Sequence, residues 1–236
     1  MPAKTRPTSS TLRPHQASAA ELIAGGDQIA IPAKQPLGEL TQAPVAEYVL
    51  PASPSCIDRE EATLFEWAER NHRIFSSEEI QRFEMQAGGK GGGSEHDAWV
   101  VMGKDGKVVI RRTIQDSYGF RFSSPFSYLR RMAEFSRQVP NAAVSFLGVS
   151  RNLRGNGVIW TVQPYIEGKH PTQAELVAEL KLQQWKPAVT QHNHLVFVHI
   201  PTGIRMHDVH AGNFIRQNNG SLIPIDVFFE GLGIDP

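Results

Sequence analysis

The sequence predicts an α+β protein, in which helices alternate with short antiparallel strands. Two kinds of pattern predict this class: amphipathic segments that begin with helix-capping residues, and short apolar runs separated by tight turns. A third observation concerns the amino-terminal end, where neither pattern occurs. We therefore expect one folded α+β domain preceded by a segment without regular structure.

The segment without regular structure covers residues 1–57. Half of the chain's sixteen prolines fall within its first 56 residues, and no aromatic residue precedes Tyr48. Such a stretch buries too little apolar surface to offset the entropy lost on ordering. The sequence therefore predicts a disordered tail up to residue 57 and a folded domain over residues 58–236.

Two helices and a hairpin are predicted for the beginning of the domain. Residues 59–71 carry an apolar side, and Ser77 is a suitable N-cap for a second helix. Five glycines follow within residues 88–93, too many for regular structure. Two strands joined by a turn are expected next, at residues 98–102 and 107–112.

A helix and a strand pair are predicted for the middle of the chain. Ser124 and Pro125 are typical of a helix start, with serine as the cap and proline in the first turn. This helix is expected to end near Val139. Strands follow at residues 144–149 and 158–164.

One helix and two hairpins are predicted for the carboxyl-terminal part. Residues 172–175 read T-Q-A-E, a capping box, so a helix is expected from there to about Trp185. Two pairs of short strands follow, at residues 195–199, 204–206, 214–216 and 222–225.

The composition narrows the classes of function. Lys and Arg together number 24, as do Asp and Glu, so no global charge points to nucleic acid or to an acidic membrane surface. No run of about 18 apolar residues predicts a membrane-spanning helix. The single cysteine, Cys56, excludes an intrachain disulfide. We expect a cytoplasmic protein without nucleic-acid or membrane partners.

The segment with the most chemical information lies near the carboxyl-terminal end. Asp208 and Asn213 are five residues apart, and Asp226 follows thirteen residues later, beyond a predicted hairpin. Since a hairpin returns the chain to its start, Asp226 is expected beside the loop that carries Asp208 and Asn213. Two carboxylates and an amide oxygen are ligands that Mg²⁺ prefers, and phosphoryl transfer uses such a site.

This spacing resembles that of the protein kinase superfamily, whose catalytic aspartate, asparagine and metal-binding aspartate are separated in the same way. Residues 208–213 read D-V-H-A-G-N, which is similar to the D-x-H-x-G-N loop of the aminoglycoside and choline kinases. The layout of residues 93–97 and 163–168 also resembles the kinase-like domains of polyvalent proteins from phages and conjugative elements. The resemblance covers roughly residues 60–236.

The resemblance implies a bilobal protein-kinase-like fold with a reduced C-lobe, and ATP and Mg²⁺ as cofactors. Residues 58–162 would form the N-terminal helices and the N-lobe, and residues 163–236 the hinge and the C-lobe. In the hinge, Gln163 and Tyr165 would lie beside adenine and offer backbone hydrogen bonds.

The resemblance also implies roles for the residues of the carboxyl-terminal loop. Asp208 would be the catalytic base or would orient the acceptor hydroxyl, and His210 would support the loop. Asn213 and Asp226 would bind Mg²⁺. As loop-favouring types, Asp208 and Asn213 could also serve only as turn residues.

Further candidates lie in the amino-terminal half. The backbone amides of Gly91, Gly92 and Gly93 could cradle phosphate, with a flexible linker as the alternative. Arg111 occupies the place of the lysine in the V-A-I-K motif of kinases, and Glu134 on the next helix is its candidate partner. The sequence leaves open whether Arg111 or its neighbour faces inward, because a slip of one residue reverses the face.

Two features depart from the protein-kinase pattern. Met206 stands where the protein-kinase loop has its histidine, and ten residues follow Asp226 in this sequence. The usual substrate platform is therefore expected to be missing or to be supplied by the amino-terminal segment or a partner.

Other functions remain open at this stage. A zinc hydrolase could use His207, Asp208 and His210 as ligands. A nucleotide-binding pseudokinase is suggested by Arg111 and by the short carboxyl-terminal part. The phosphoryl acceptor, whether a protein, a small molecule or the chain itself, is not predicted.

Overall fold

The computed structural model describes residues 54–93, 95–114, 118, 124–190 and 195–231. Residues 1–53 of the predicted disordered tail lie outside the described residues. Helices and antiparallel sheets combine in the described part, which confirms the α+β class. None of the helices described is long and apolar enough to cross a membrane.

Two helices begin the described chain. Helix α1 (Pro54–Arg70) starts four residues before the predicted domain boundary at Asp58. Helix α2 (Ser77–Ala87) is capped by Ser76 and not by Ser77, which corrects the prediction. The reason is the spacing: Glu79 lies three residues after Ser76, so the two residues form a reciprocal capping box.

The glycine-rich segment contains a short strand, contrary to the prediction. Strand β1 (Gly91–Gly92) pairs antiparallel with β2 (His96–Gly103). A side chain at position 92, where φ is 147°, would collide with the carbonyl oxygen of His96. Glycine therefore allows the chain to fold back closely on the start of β2. Strand β3 (Gly106–Thr113) follows β2 through the predicted turn.

The first sheet is completed after helix α3 (Pro125–Gln138), whose N-cap is Ser124 as predicted. Strands β4 (Ser145–Arg151) and β5 (Gly157–Pro164) give the antiparallel order β1-β2-β3-β5-β4. The faces of this sheet differ. Trp99 and Trp160 stack on the outer face, 5.8 Å between ring centroids, and the other face is turned toward a cleft.

Helix α4 (Gln173–Leu182) has the predicted capping box of Thr172 and Glu175 but ends earlier than expected. The chain turns at Gln184, where φ is 63°, and Trp185 begins strand β6 (Trp185–Val189). The physical reason is packing, because the partly buried Trp185 ring lies 6.4 Å from that of Phe229, and both pack against the main core.

The remaining strands are short and antiparallel. Their bounds are β7 (Leu195–His199), β8 (Arg205–His207), β9 (Phe214–Arg216), β10 (Leu222–Pro224) and β11 (Phe228–Glu230). They form a four-stranded sheet in the order β11-β8-β7-β6 and a separate β9–β10 hairpin.

Two apolar clusters stabilise the described part of the chain. The smaller one lies between α2 and the first sheet and contains Phe83 and Trp99. The larger one joins α1, α3 and both larger sheets, and Tyr128, Phe146 and Phe197 are among its fully buried members. The larger cluster therefore fixes the two larger sheets relative to each other.

Candidate active site

The loop after β8 is held in shape by the side chain of Asn213. Asp208 has φ of 57°, a left-handed conformation that aspartate adopts more readily than most residues. Asn213 Nδ2 donates to the backbone oxygen of Asp208 at 2.9 Å and to Asp208 Oδ2 at 2.8 Å. One amide group therefore stabilises both the turn and the direction of the carboxylate.

Two pairings bring Asp226 back to this loop. The N–H of Ile225 donates to the backbone oxygen of Asn213 at 2.8 Å, at the end of the β9–β10 hairpin. Strand β11 then pairs with β8, with Phe228 opposite His207. Since His207 precedes Asp208 and Phe228 follows Asp226 closely, the ladder brings the two carboxylates to one wall.

His210 and Gly212 complete the loop. His210 Nε2 lies 3.8 Å from Asp208 Oδ1, and both side chains are more than half exposed. A Cβ at position 212 would lie 3.1 Å from the His210 ring, so a larger residue there would require this exposed ring to shift by a few tenths of an ångström. From the first turn of α4, Gln173 Oε1 accepts a hydrogen bond from the N–H of Ala211 at 2.9 Å.

Arg111 is the residue of β3 that faces the cleft. Its side chain is 6% exposed, and Nη1 donates to Asp226 Oδ1 at 3.0 Å. Arg112 lies on the opposite face, where its guanidinium stacks over Trp99 and pairs with Asp97. The alternation of the strand thus resolves which arginine points inward.

Glu134 is not the partner of Arg111, which corrects the prediction. Its carboxylate binds Arg137 Nη2 at 2.6 Å and Gln138 Nε2 at 3.2 Å on the same helix. The position on α3 near Arg111 belongs to Met132, whose Sδ lies 3.8 Å from Arg111 Nη2. Arg111 therefore takes its carboxylate from the carboxyl-terminal part of the chain.

The cleft lies between the first sheet and the four-stranded sheet and has a volume of about 1520 Å³. Most of the candidate site residues predicted from the sequence line its walls. Those that line it are Gly92, Gly93, Arg111, Gln163, Asp208, His210, Asn213 and Asp226. Those that do not are Gly91, Glu134 and Tyr165.

Two of the predicted backbone donors are already engaged. The N–H of Gly93 donates to the backbone oxygen of His96 at 3.0 Å. The N–H of Tyr165 donates to the backbone oxygen of Lys107 at 3.1 Å. Neither group is therefore free for a ligand in this arrangement.

Gln163 lies deep in the cleft. The residue is buried, and its Nε2 donates to the backbone oxygen of Ile225 at 3.4 Å. Gln163 Oε1 and Arg111 Nε are buried atoms without a hydrogen-bond partner in the described part of the chain. An unpaired buried polar atom costs about 1–3 kcal/mol, and native structures keep few of them.

Glu95 and His96 are site residues to which the sequence assigned no role. Burial raises the pKa of Glu95 to about 7, against the attraction of Arg131, and the charges of Asp226 and Asp208 raise it further. Burial, and then the charge of Arg111, lower the pKa of His96 to about 4. The sequence signal that could have indicated both as site residues is their position just after the glycine segment.

His170 was also missed. Its Nδ1 donates to the backbone oxygen of Phe214 at 2.9 Å, and the ring lines the cleft. This bond ties the segment before α4 to the strand that follows Asn213. No local motif marks such a residue, because the contact joins positions 44 residues apart.

The histidines of the loop do not form a zinc centre with their neighbours. His207 stacks on Phe228 with 4.4 Å between ring centroids, and its Nε2 lies 2.9 Å from Glu230 Oε2. Within the described residues, no group of three or more His, Cys, Asp or Glu side chains could hold a metal ion. Nothing in this part of the chain favours the hydrolase interpretation.

A comparison with models of protein families shows which family the chain belongs to. The model of a family described as the serine/threonine/tyrosine kinases found in polyvalent proteins matches residues 58–230. The chain belongs to this family. No curated protein matches it. The match to this kinase family includes the loop with Asp208, the strand with Arg111 and both larger sheets.

Proposed function

We propose that this kinase domain transfers the γ-phosphoryl group of ATP, with Mg²⁺, to a hydroxyl group of a polypeptide. The observation that carries the proposal is the convergence of Asp208, Asn213 and Asp226 on one cleft wall, with Arg111 bound to Asp226. The family description names serine, threonine and tyrosine kinases, which supports a polypeptide acceptor.

The donor atoms of this wall fit Mg²⁺. Both hydrogens of Asn213 Nδ2 are used by Asp208, so the amide oxygen is the atom left for a ligand. Asp226 uses Oδ1 for Arg111. In the described part of the chain, no group donates to Asn213 Oδ1 or Asp226 Oδ2. Mg²⁺ takes one or two such oxygens together with phosphate oxygens and water, and it neutralises phosphate charge.

We assign the phosphate groups to the region around Arg111. Its guanidinium carries a permanent charge and has N–H groups beyond the one bound to Asp226. Gly92 and Gly93 also line the cleft. Because the N–H of Gly93 already donates to the backbone oxygen of His96, we assign Gly93 to the shape of the phosphate site and not to hydrogen bonding.

We assign the adenine base to the apolar face of the first sheet. Ala98 and Val109 line the cleft, and Val100, opposite Val109, is half exposed on the same face. Backbone groups alternate along a strand, and the N–H of Tyr165 points to β3. The carbonyl of Pro164, in the same peptide group, points away from β3. Gln163, which lines the cleft opposite Val109, is the hinge residue that we assign to the edge of the base.

Asp208 is the residue we assign to the acceptor hydroxyl. Its carboxylate is more than half exposed and is held in direction by Asn213. A carboxylate in this position can accept the hydroxyl proton as the oxygen attacks phosphorus. His210, close to Oδ1, is assigned a positioning role.

The lobes follow from the same assignment. The sheet that carries Arg111 would be the N-lobe, the sheet that ends at Asp208 the C-lobe, and residues 163–168 the hinge. From the D-x-H-x-G-N loop, we propose that the domain is related to the aminoglycoside and choline kinases. A cytoplasmic location without nucleic-acid or membrane partners belongs to the same proposal.

A pseudokinase that binds nucleotide without turnover is the second candidate. The observation that favours it is the ion pair between Arg111 and Asp226, because it occupies one oxygen of the proposed metal ligand. An active domain must keep this pair and still bind Mg²⁺ through the other oxygen.

The test is the transfer of labelled phosphate from ATP to dephosphorylated casein and to the protein itself. We predict transfer by the parent and a loss of at least about 100-fold in Asp208→Asn, the scale of general-base catalysis. The affinity of Asp208→Asn for Mg-ATP is expected to stay within threefold of the parent.

The control is Asp105→Asn, which changes a carboxylate in the β2–β3 turn outside the cleft and is expected to keep both activities. Transfer that survives in Asp208→Asn would refute the assignment of Asp208. Tight binding of Mg-ATP by a parent that transfers no phosphate would favour the pseudokinase.

A further inference from the structure

One face of the four-stranded sheet forms a wall of the cleft. Side chains alternate between the faces of a strand, and paired residues share a face. Ala188 lies opposite Val196, and Val198 lies opposite Arg205, so these four side chains share one face. All four line the cleft, whereas Phe197, on the other face, is buried in the main core.

This face leads directly to the catalytic loop. His207 shares it with Arg205 and is followed in the chain by Asp208. Glu230 lies opposite Arg205, and the two side chains pair loosely, with 3.7 Å between Nη1 and Oε2. Both are 56% exposed, so their charged groups remain accessible to a ligand beside Asp208.

The face is graded along the strand order. Strands β6 and β7, at one side of the sheet, contribute the partly exposed aliphatic side chains of Ala188 and Val198 and the buried side chain of Val196. Strands β8 and β11, at the other side, contribute Arg205 and Glu230. The residues assigned above to the nucleotide lie on the first sheet and do not include any of this face. The cleft volume of about 1520 Å³ also exceeds the roughly 300–1,000 Å³ of common small-molecule pockets.

We infer that this face binds the acceptor as an extended polypeptide, with an aliphatic residue near the hydroxyl packed on the partly exposed side chains of Ala188 and Val198. The inference rests on the proposed function. Polar groups of the same polypeptide meet Arg205 and Glu230.

The polypeptide lies across the face and does not extend the sheet. Strand β6 is at the edge of the sheet, and it contains Lys186 and Pro187. Proline has no N–H to donate, and both residue types are typical of edge strands that resist pairing.

The strand spacing sets where the aliphatic residue belongs. Strands β7 and β6 are one and two strands from β8, about 5 and 10 Å in a sheet. An extended polypeptide advances about 3.3 Å per residue. The aliphatic side chain is therefore expected about two to three residues from the phosphorylated one.

The experiment uses a library of 13-residue peptides with one central serine, threonine or tyrosine and each flanking position varied in turn. We expect the parent to prefer Leu, Ile, Val or Met at one position about two to three residues from the residue that carries the hydroxyl. Val198→Asp is expected to raise KM for the preferred peptide at least tenfold. Mg-ATP affinity should stay within twofold of the parent.

Controls separate this result from unfolding and from failure of the proposed function. Leu153→Asp places the same charge on an exposed aliphatic residue of the β4–β5 turn and should change no parameter. Val198→Thr, which keeps the shape, should raise KM in the same direction by a smaller factor and guards against misfolding of Val198→Asp.

Two outcomes would overturn the inference while the proposed function stands. One is transfer to peptides without preference for a flanking aliphatic residue and with equal KM in Val198→Asp. The other is transfer to free serine, choline or an aminoglycoside but to no peptide. Absence of both Mg-ATP binding and transfer in the parent would instead refute the proposed function.

Discussion

Asp208 combines a strained backbone with an exposed carboxylate. A left-handed conformation costs a non-glycine residue about 1 kcal/mol or more, and it persists where the surroundings fix it. Here Asn213 supplies two hydrogen bonds across the turn. Removal of the Asn213 amide would therefore release both the turn and the carboxylate.

Arg111 and Asp226 form the charge pair at the centre of the cleft. The guanidinium is almost completely buried, while 43% of the Asp226 side chain is exposed. A buried charge needs a partner, and this one is supplied from 115 residues away. The pair thus fixes the position of Asp226 on the cleft wall.

Glu95 gives the first prediction, for protein without Mg²⁺ or nucleotide. Its pKa is raised from 4.5 to about 7, so the folded state binds this proton more tightly than the unfolded state. The favourable contribution is complete below pH 4.5 and is lost as pH rises through 7. Glu95→Gln should therefore be more stable than the parent above pH 7.

The expected gain is about 1 kcal/mol at most, because the carboxyl is only half-buried and solvent screens it. Urea unfolding at pH 5 and pH 8 measures it. The control is Glu69→Gln on the exposed side of α1, which should show no such pH dependence. An equal difference between Glu95→Gln and the parent at both pH values would contradict the assignment.

Some residues of the site could be predicted from their spacing in the sequence. Others come together only through contacts between distant parts of the chain. Asp208, Asn213 and Asp226 lie within nineteen positions, and one hairpin connects them, so their meeting could be predicted. The partner of Arg111 could not, because the sequence near α3 offered Glu134, which binds its own helix. The partner of Arg111 is set by a contact with Asp226, which is 115 residues away in the sequence.

The β8–β11 ladder is the element that joins the two halves of the site. Phe228 pairs with His207, and the guanidinium of Arg131 lies 5.7 Å from the centroid of the Phe228 ring. Helix α3 therefore contacts the strand that follows Asp226. A shift of α3 would move Asp226 with it.

Helix α1 gives the prediction at the scale of elements. The buried carboxylate of Glu60 accepts a hydrogen bond from the N–H of Phe126, in the first turn of α3, at 3.1 Å. It satisfies an orphan donor and complements the helix dipole. Glu60→Ala should lower the free energy of unfolding by about 1–2 kcal/mol.

Chemical denaturation of full-length protein measures this effect. Glu69→Ala, on the exposed side of the same helix, is the matched control and is expected to stay within about 0.5 kcal/mol of the parent. A loss of stability that is equal in both variants would show that Glu60 acts only through helix propensity.

Most elements could be predicted from local sequence, and the exceptions have physical causes. Capping boxes and tight turns are local, which is why α4 begins and the β9–β10 hairpin turns where expected. Trp185 was predicted helical but joins a sheet, because its partly buried ring packs against the main core. Tertiary packing overrides weak local preference in such segments.

At the scale of the molecule, the cleft exists because the inner face of the first sheet is only partly covered. Phe146 and Ile159 of this face pack in the main core, whereas Arg111 lines the cleft. The second sheet has Phe197 and Met206 in the same core and turns its other face to the cleft. This arrangement could not be predicted from hairpins alone, because no local pattern sets the orientation of one sheet against another.

The measurement that tests the central claim most directly is calorimetric titration of ATP, with Mg²⁺ and with EDTA. We predict that Mg²⁺ tightens ATP binding at least tenfold, about 1.4 kcal/mol, in the parent and in Asp105→Asn. In Asp226→Asn, with its fold verified by circular dichroism, this gain should disappear. An Asp226→Asn variant that keeps the full Mg²⁺ gain would contradict the account.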